Sequence, residues 1–343
     1  MTVGIEKIFY KTTKSKDVHE GILLIEDSKG TRSHFTYGGK DLDSAILLAS
    51  ITKLYTTACI LNLIEQGKLS LGDQVIKYLD AELLEGLHTY KERDYTTELT
   101  IAHLLFQTSG LPDAFEEKSL NIKKQVIHGD FYLRFDEQLT ATKQMDPHFA
   151  PHSTGRVYYS DINFDLLGRI IEVVCDSSLE EVYKQLIYDP LELRQTYLAE
   201  NADDLYPAIY NKETTLHRPK YITSCGASGG IVSTTRELMV FIKAFFGGRL
   251  FHPDMFNQNP SSNKLQLSMY PIQYGCGFMR IPLGGLSTLF KGKGELVGHS
   301  GSTGSFAFYH PEKDMYMVGD LNQLANPALP VRMAMQVAIS DKV

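Results

Sequence analysis

Three short stretches hold side chains whose types and spacing could do covalent chemistry. The first is Ser50-Ile51-Thr52-Lys53, within LLASITKLYTT. A serine and a lysine three apart at a helix start lie one above the other on a single face. A neutral lysine amine there can take the Ser50 Oγ proton. The helix N-terminus adds partial positive charge and free N–H groups where an oxyanion would form. The plain alternative for Ser50 is an N-cap. A pair at this spacing also arises by chance about once or twice in a chain of this size. Ser261 and Lys264 repeat it in the loop-like NPSSNK, which has no buried helix behind it, so that second pair reads as coincidence.

The second stretch is Tyr159-Ser160-Asp161, in GRVYYSDINFDLLGRII. A phenol whose proton is drawn away by a nearby ammonium can serve as general base and then as general acid. The plain alternative is an aromatic packed ahead of a helix that Asp161 caps. The third is His299-Ser300-Gly301-Ser302, in VGHSGSTGS. A lone histidine is more often structural than catalytic. The density of Gly and Ser around this one would let a substrate backbone lie along a strand edge and reach its N–H groups.

The elements that must position these residues are legible in outline. EGILLIED (20–27) and RSHFTYG (32–38), separated by Ser28-Lys29-Gly30-Thr31, form a hairpin pattern. A run from Ser50 to about Gln66 is apolar on nearly all sides, the mark of a central buried helix, and Gly67 stops it. From about 70 to 220 the pattern is mainly helical. Thr100 caps a helix through Leu105, Asp161 to Val174 forms another and Leu179 to Ile187 a third. Thr234 or Thr235 caps a later helix through Phe246, ended by Gly247-Gly248. Beyond 265 the chain turns β-like in YGCGFMRI (274–281), ELVGHSG (295–301), SFAFYH (305–310) and MYMVGDL (315–321), with a helical pattern near 329–341. Strands at both ends with helices between predict an α+β fold. Residues 1–70 and 221–343 build an α/β sheet region, residues 71–220 form a mostly helical insertion, and the cleft between them is the natural site.

Composition narrows the function classes. With 343 residues, 43% hydrophobic and 22% charged, the chain has the balance of a globular protein with ample core. Its net charge of −7 and scattered Lys and Arg offer no basic stripe, so nucleic-acid binding is not expected. Cys59, Cys175, Cys225 and Cys276 lie far apart with no metal-binding spacing; Cys59 and Cys175 read as buried thiols in helical runs. No run approaches the length of a membrane span. The N-terminus lacks a signal-peptide pattern, so the chain reads as soluble and cytoplasmic, although prior removal of an export segment would give the same appearance. Oligomeric state is left open.

In order and character the three stretches resemble the motifs of the serine β-lactamase and D-alanyl-D-alanine carboxypeptidase superfamily: Ser-x-x-Lys, Tyr-x-Asn and Lys/His-Thr/Ser-Gly. The resemblance runs from about residue 20 to 340. It includes GKLSLGDQVIKYL (67–79), LTIAHLLFQTSGLP (99–112), SGGIVSTTRELMVFIKAF (228–245) and SFAFYHPEKDMYMVGDLNQ (305–323). Histidine at 299 is similar to the esterase and DD-peptidase branch around the class C enzymes. The chain departs from the family pattern at Asp161, where Asn is usual, and in PHSTGRVYY, where a Pro-Gly approach is usual.

The resemblance implies a β-lactamase/transpeptidase-like fold, an antiparallel sheet flanked by helices plus a mostly helical region. It implies two-step acyl transfer on esters or amides, without metal or organic cofactor, on a small-molecule or short-peptide substrate. Ser50 would be the nucleophile, and Lys53 and Tyr159 would manage its proton. The N–H groups of Ser50 and Ser302 would hold the oxyanion. His299 would polarise Tyr159 or, as an imidazolium, bind a substrate carboxylate, while Asp161, Ser300, Gly301 and Ser302 would line the substrate. β-Lactamase or penicillin-binding activity, and a non-catalytic ligand-binding relative, are the alternatives.

Overall fold

The computed structural model describes residues 2–117, 120–257 and 262–340. Ser261 lies outside them. Strands β1 (Gly21–Glu26) and β2 (Arg32–Tyr37) form the expected hairpin. Its turn closes on Asp27, whose Oδ1 accepts from Lys29 N–H at 2.9 Å and from Thr31 N–H at 2.8 Å. Strands β3 (Ala45–Leu47), β4 (Tyr197–Leu198) and β5 (Ile231–Thr234) make a small sheet in the order β3-β5-β4.

The C-terminal part supplies β6 (Asn263–Lys264), β7 (Gln273–Gly275), β8 (Phe278–Pro282), β9 (Glu295–Ser300), β10 (Ser305–His310) and β11 (Met315–Asp320). Together with β1 and β2 they form an eight-stranded sheet, ordered β6-β7-β8-β9-β10-β11-β1-β2 and antiparallel at every junction. The N-terminal hairpin thus completes a sheet begun at the other end of the chain. Among the described residues, 71–220 contribute no strand to it.

All six residues of β1 are buried, so helices cover both faces of the sheet. Residues opposite one another in register share a face. Phe35, Leu23, Gly319 and Phe306 define one face, and there α1 (Thr2–Thr13) lays Phe9 against Phe35, 6.0 Å between ring centroids. Helix α1 is absent from the sequence expectation. Among its described side chains the fully buried apolar anchors are Ile5 and Phe9, and packing on the sheet decides its conformation. His299, Ala307 and Val318 lie on the other face, with Tyr316 two residues before Val318.

Helix α2 (Thr52–Glu65) runs through the interior: every residue from Thr52 to Leu61, and Leu63, is buried. Helix α3 (Asp161–Cys175) follows the second motif. Of the two expected caps for helix α4 (Thr235–Phe246), Thr234 is the one used, its side chain accepting from Glu237 N–H. The helix covers the His299 face, with the Lys243 ammonium 6.0 Å above the Tyr316 ring. Thr100 likewise caps Ile101–Leu105. Helix α5 (Ala328–Ile339) packs with α1.

Three local expectations change. YGCGFMRI is not one strand: it folds back at Cys276-Gly277, both at positive φ, to give β7 and β8. The expected helix from Leu179 to Ile187 is α-helical only to Tyr183 and widens into a π-helical turn over Lys184–Tyr188. Cys175 is half-buried rather than buried. All four cysteines are free thiols. No helix of the described residues is long and apolar enough to cross a membrane.

Candidate active site

Ser50 stands in a 3-10 turn, Ala49–Ile51, that leads directly into α2. Ala49 holds a left-handed backbone, φ 45°, a strained conformation that a non-glycine residue keeps only when its surroundings impose it. The constraint comes from the β9–β10 loop. Ser305 Oγ donates to Leu48 O at 2.8 Å and Thr303 Oγ1 to Leu47 O at 3.0 Å. Gly301 lies so close that a Cβ there would sit 2.4 Å from Leu48 O and 3.0 Å from Ala49 Cβ. The third motif therefore braces the first.

One helical turn along α2, Lys53 is completely buried and its ammonium has two hydrogen-bond acceptors and one counter-charge. Its Nζ donates to Ser50 Oγ at 3.3 Å and to Ser228 O at 2.7 Å. The third partner is Asp161 Oδ1 at 2.7 Å, an ion pair lying off the direction of a hydrogen bond. Asp161 is thus not the N-cap of α3. It is the first helical residue, and its carboxylate turns toward Lys53 because a buried ammonium needs a counter-charge.

The lead-in to α3 is held by the stretch around Gln107. Gln107 Oε1 accepts from Ser160 N–H at 2.9 Å and from Asn163 Nδ2 at 2.6 Å, and Ser160 Oγ donates to Pro112 O at 2.6 Å. Asp113 Oδ1 accepts the Asp161 N–H at 3.2 Å. This lattice fixes Tyr159, 9% exposed, with its ring 5.1 Å from Lys53 Nζ. The Tyr159 hydroxyl is buried and makes no hydrogen bond of acceptable geometry. Burial, then the Asp161 charge, hold its phenol well above the ordinary range, while the Ser50 hydroxyl acts in the other direction. Tyr159 is a neutral phenol at rest.

His299 is fully buried on β9. Burial, reinforced by the Lys53 charge, lowers its pKa to about 3. It is a neutral imidazole across the physiological range, and the expected carboxylate-binding imidazolium is not found. Ser300 O lies 2.8 Å from Nδ1, which places the ring proton on Nδ1 and leaves Nε2 as a buried lone pair without a partner.

Tyr274 of β7 escaped the sequence reading, which took YGCGFMRI only as a strand. Its ring makes edge contacts with Tyr159 and with His299, each at a centroid distance of 5.9 Å. Its hydroxyl is also buried and unpaired. The sequence signal was a tyrosine followed by two glycines in three residues, the mark of a tight turn presenting a side chain inward.

A cleft of about 900 Å³ opens onto Ser50, Tyr159, Asp161, Ser300, Gly301 and Ser302. All of the site residues expected from sequence therefore gather in one place: six line the cleft, and Lys53 and His299 stand behind them. On the helical side its wall carries Asp113, Glu116 and Glu117 beside Phe115, Ile122 and Tyr221. Asp113 is almost fully buried. Burial, and then the Asp161 charge, push its carboxyl well above the usual range.

The family model for Beta-lactamase matches residues 26–341. The chain belongs to the Beta-lactamase family. Among curated Beta-lactamase relatives, Protein flp of Staphylococcus aureus (strain NCTC 8325 / PS 47) is 26% identical over 237 residues, covering 65% of this chain and 44% of that protein. The chain thus spans less than half the length of that relative. A putative D-alanyl-D-alanine carboxypeptidase of Escherichia coli (strain K12) is 25% identical over 313 residues, covering 82% of this chain and 69% of the other. In fold, the chain superposes on a D-stereospecific amidohydrolase from Streptomyces sp. with a TM-score of 0.75 at 23% identity, covering 92% of this chain and 94% of that one. The β-lactamase/transpeptidase-like fold is that of serine hydrolases, and the antiparallel sheet flanked by helices matches expectation.

Proposed function

We propose that the chain is a serine hydrolase that forms an acyl-enzyme on Ser50 and acts on small esters or amides, preferring acyl groups with a free amino group. The observation that carries the reading is Lys53, wholly buried with its Nζ 3.3 Å from Ser50 Oγ and 2.7 Å from Asp161. The Lys53–Asp161 pair is neutral overall. Passing one proton from the ammonium to the carboxylate frees an amine beside Ser50 without moving net charge into the buried site.

That amine takes the Ser50 proton as Oγ attacks the carbonyl, and the N–H groups of Ser50 and Ser302 hold the oxyanion. Tyr159, kept neutral, gives its proton to the leaving group and regains one from Lys53. Water enters by the reverse route and releases the acyl group. A free substrate ammonium would face Asp161 and, further along the same wall, Glu117, whereas Glu116 is paired with Lys123 at 3.0 Å and Asp113 is held toward its neutral form. The name of the similar Streptomyces protein, an amidohydrolase, accords with action on amides.

Two measurements test the reading. A fluorophosphonate should add a single adduct to the peptide that contains Ser50. Ser50→Ala should lose on the order of 10³-fold or more in kcat on p-nitrophenyl acetate. An adduct elsewhere, or an active Ser50→Ala, ends it.

A further inference from the structure

Three buried polar atoms of the site lack a partner: Tyr159 Oη, Tyr274 Oη and His299 Nε2. Orphaned buried polar atoms cost free energy, and a cluster of them in a folded chain calls for a reason. The three belong together. Tyr159 and His299 ring centroids are 6.0 Å apart, and Tyr274 stands 5.9 Å from each. They are also complementary, since two carry O–H donors and the third a bare lone pair.

Tyr274 is no loosely placed core residue. It is 1% exposed, and its hydroxyl feels Tyr159 and the charges of Lys53 and Asp161. The β7–β8 turn that follows it is fastened to α2: Thr57 Oγ1 donates to Gly277 O at 3.1 Å and to Lys53 O at 2.7 Å. Gly277 has positive φ and sits where a Cβ would fall 2.3 Å from Thr57 Oγ1. The same threonine therefore registers the Tyr274 hairpin against the turn of helix that carries Lys53.

The step that needs such a neighbour is leaving-group departure. As the C–O or C–N bond breaks, its electron pair goes to the leaving atom, which takes the proton of Tyr159. The phenolate left behind is buried beside the Asp161 carboxylate, an environment hostile to negative charge. Lys53 reprotonates it afterwards. Within the serine-hydrolase reading above, on which this rests, we propose that Tyr274 is a positioning residue whose hydroxyl donates to the Tyr159 oxygen as that oxygen gives up its proton. Before the step the Tyr274 hydroxyl has no hydrogen-bond partner, so the phenolate meets a donor that no other acceptor holds. His299, with its proton on Nδ1 directed to Ser300 O, is not the acid.

The dependence on leaving group provides the test. Esters and amides of one acyl group are compared by kcat/KM, which reports acylation. p-Nitrophenolate departs without a proton, whereas an alkoxide or an amine needs one. Tyr274→Phe should lower kcat/KM for the ethyl ester and the amide by about tenfold or more, and change the p-nitrophenyl ester by no more than about twofold, the loss of one hydrogen bond to a charge. Tyr159→Phe should show the same split, larger. Incorporating 3-fluorotyrosine at position 274, which keeps the volume and a stronger donor, should retain the ethyl-ester rate.

An equal fall for all three leaving groups means a packing role and overturns the proposal, as does a Tyr274→Phe protein unchanged on every substrate. A split in Tyr159→Phe with none in Tyr274→Phe overturns the inference alone. If Ser50→Ala still turns over the p-nitrophenyl ester, the serine-hydrolase reading fails and takes this one with it; a Tyr159→Phe protein without a split overturns this inference alone.

Discussion

His299 shows how far burial alone can set a residue's chemistry. An ordinary imidazole titrates near 6.5, but this one, enclosed and facing the Lys53 charge, is lowered to about 3. The unfolded chain therefore binds a proton at His299 that the folded chain refuses between those two values. Its contribution to stability is present in full above pH 6.5 and is lost as pH falls toward 3, at up to about 1.4 kcal/mol per pH unit. Asp165 runs the other way: burial first, then Asp161, raise it to about 7, so the folded chain holds an extra proton there and loses stability as pH rises from 3.8 to 7. The two slopes oppose each other, so the difference between wild type and variant is what isolates His299. Urea unfolding of His299→Gln should show a stability–pH slope between pH 4 and 6 that is more negative than wild type by about one proton's worth. Parallel curves would mean that His299 is protonated in the fold.

At the scale of elements, the turn that carries Ser50 is shaped by a loop from the far end of the chain. Residues 301–305 hold the Leu47 and Leu48 carbonyls through two hydroxyls, and Gly301 supplies the clearance. An alanine Cβ at 301 would meet Ser305 Oγ at 2.3 Å as well as the Leu48 carbonyl. The serine hydroxyl can rotate away, but the carbonyl is backbone and moves only with Ala49 and Ser50. Gly301→Ala should thus cost about 1–3 kcal/mol of stability, the usual range for overpacking. It should also reduce kcat/KM on p-nitrophenyl acetate by about 100-fold, because small displacements of a nucleophile are expensive. Thermal unfolding and ester kinetics on one preparation would separate the two effects. A fully active variant would show that the tight approach does not set the Ser50 geometry.

The whole molecule joins a sheet closed by both chain ends to helices that bring an acidic wall up to Ser50. On the proposed function, selectivity would arise at this junction, since Ser50 comes from one side and Asp161 from the other. An ionised Asp at 161 accepts hydrogen bonds but cannot donate one to an acylamino carbonyl, as the Asn usual at this place can. An α-amino ester should therefore be preferred over its N-acetylated counterpart. Asp161→Asn should shift that ratio toward the acetylated ester by about tenfold, the worth of one hydrogen bond or ion pair. Taking a ratio removes the change that the substitution imposes on Lys53 for every substrate. A ratio that stays put would place amine recognition elsewhere on the wall.

What the sequence determined by itself is what depends on near neighbours. The Ser50–Lys53 juxtaposition follows from helical spacing, the buried course of α2 from its unbroken apolar pattern, the first hairpin from its turn residues, and the start of α4 from Thr234. The motif resemblance added which three stretches would converge. Tertiary structure decided whatever depends on desolvation and on partners distant along the chain. It turned Asp161 from a helix cap into the counter-charge of a buried ammonium, and it made His299 a neutral acceptor. It folded YGCGFMRI into two strands and brought Tyr274 behind the nucleophile, and it made a helix of Thr2–Thr13 by giving Ile5 and Phe9 a sheet to rest on. Periodicity records which face of an element is apolar. The charge that a group carries is set by the water that it loses and the neighbours it gains, and those exist only once the chain has closed.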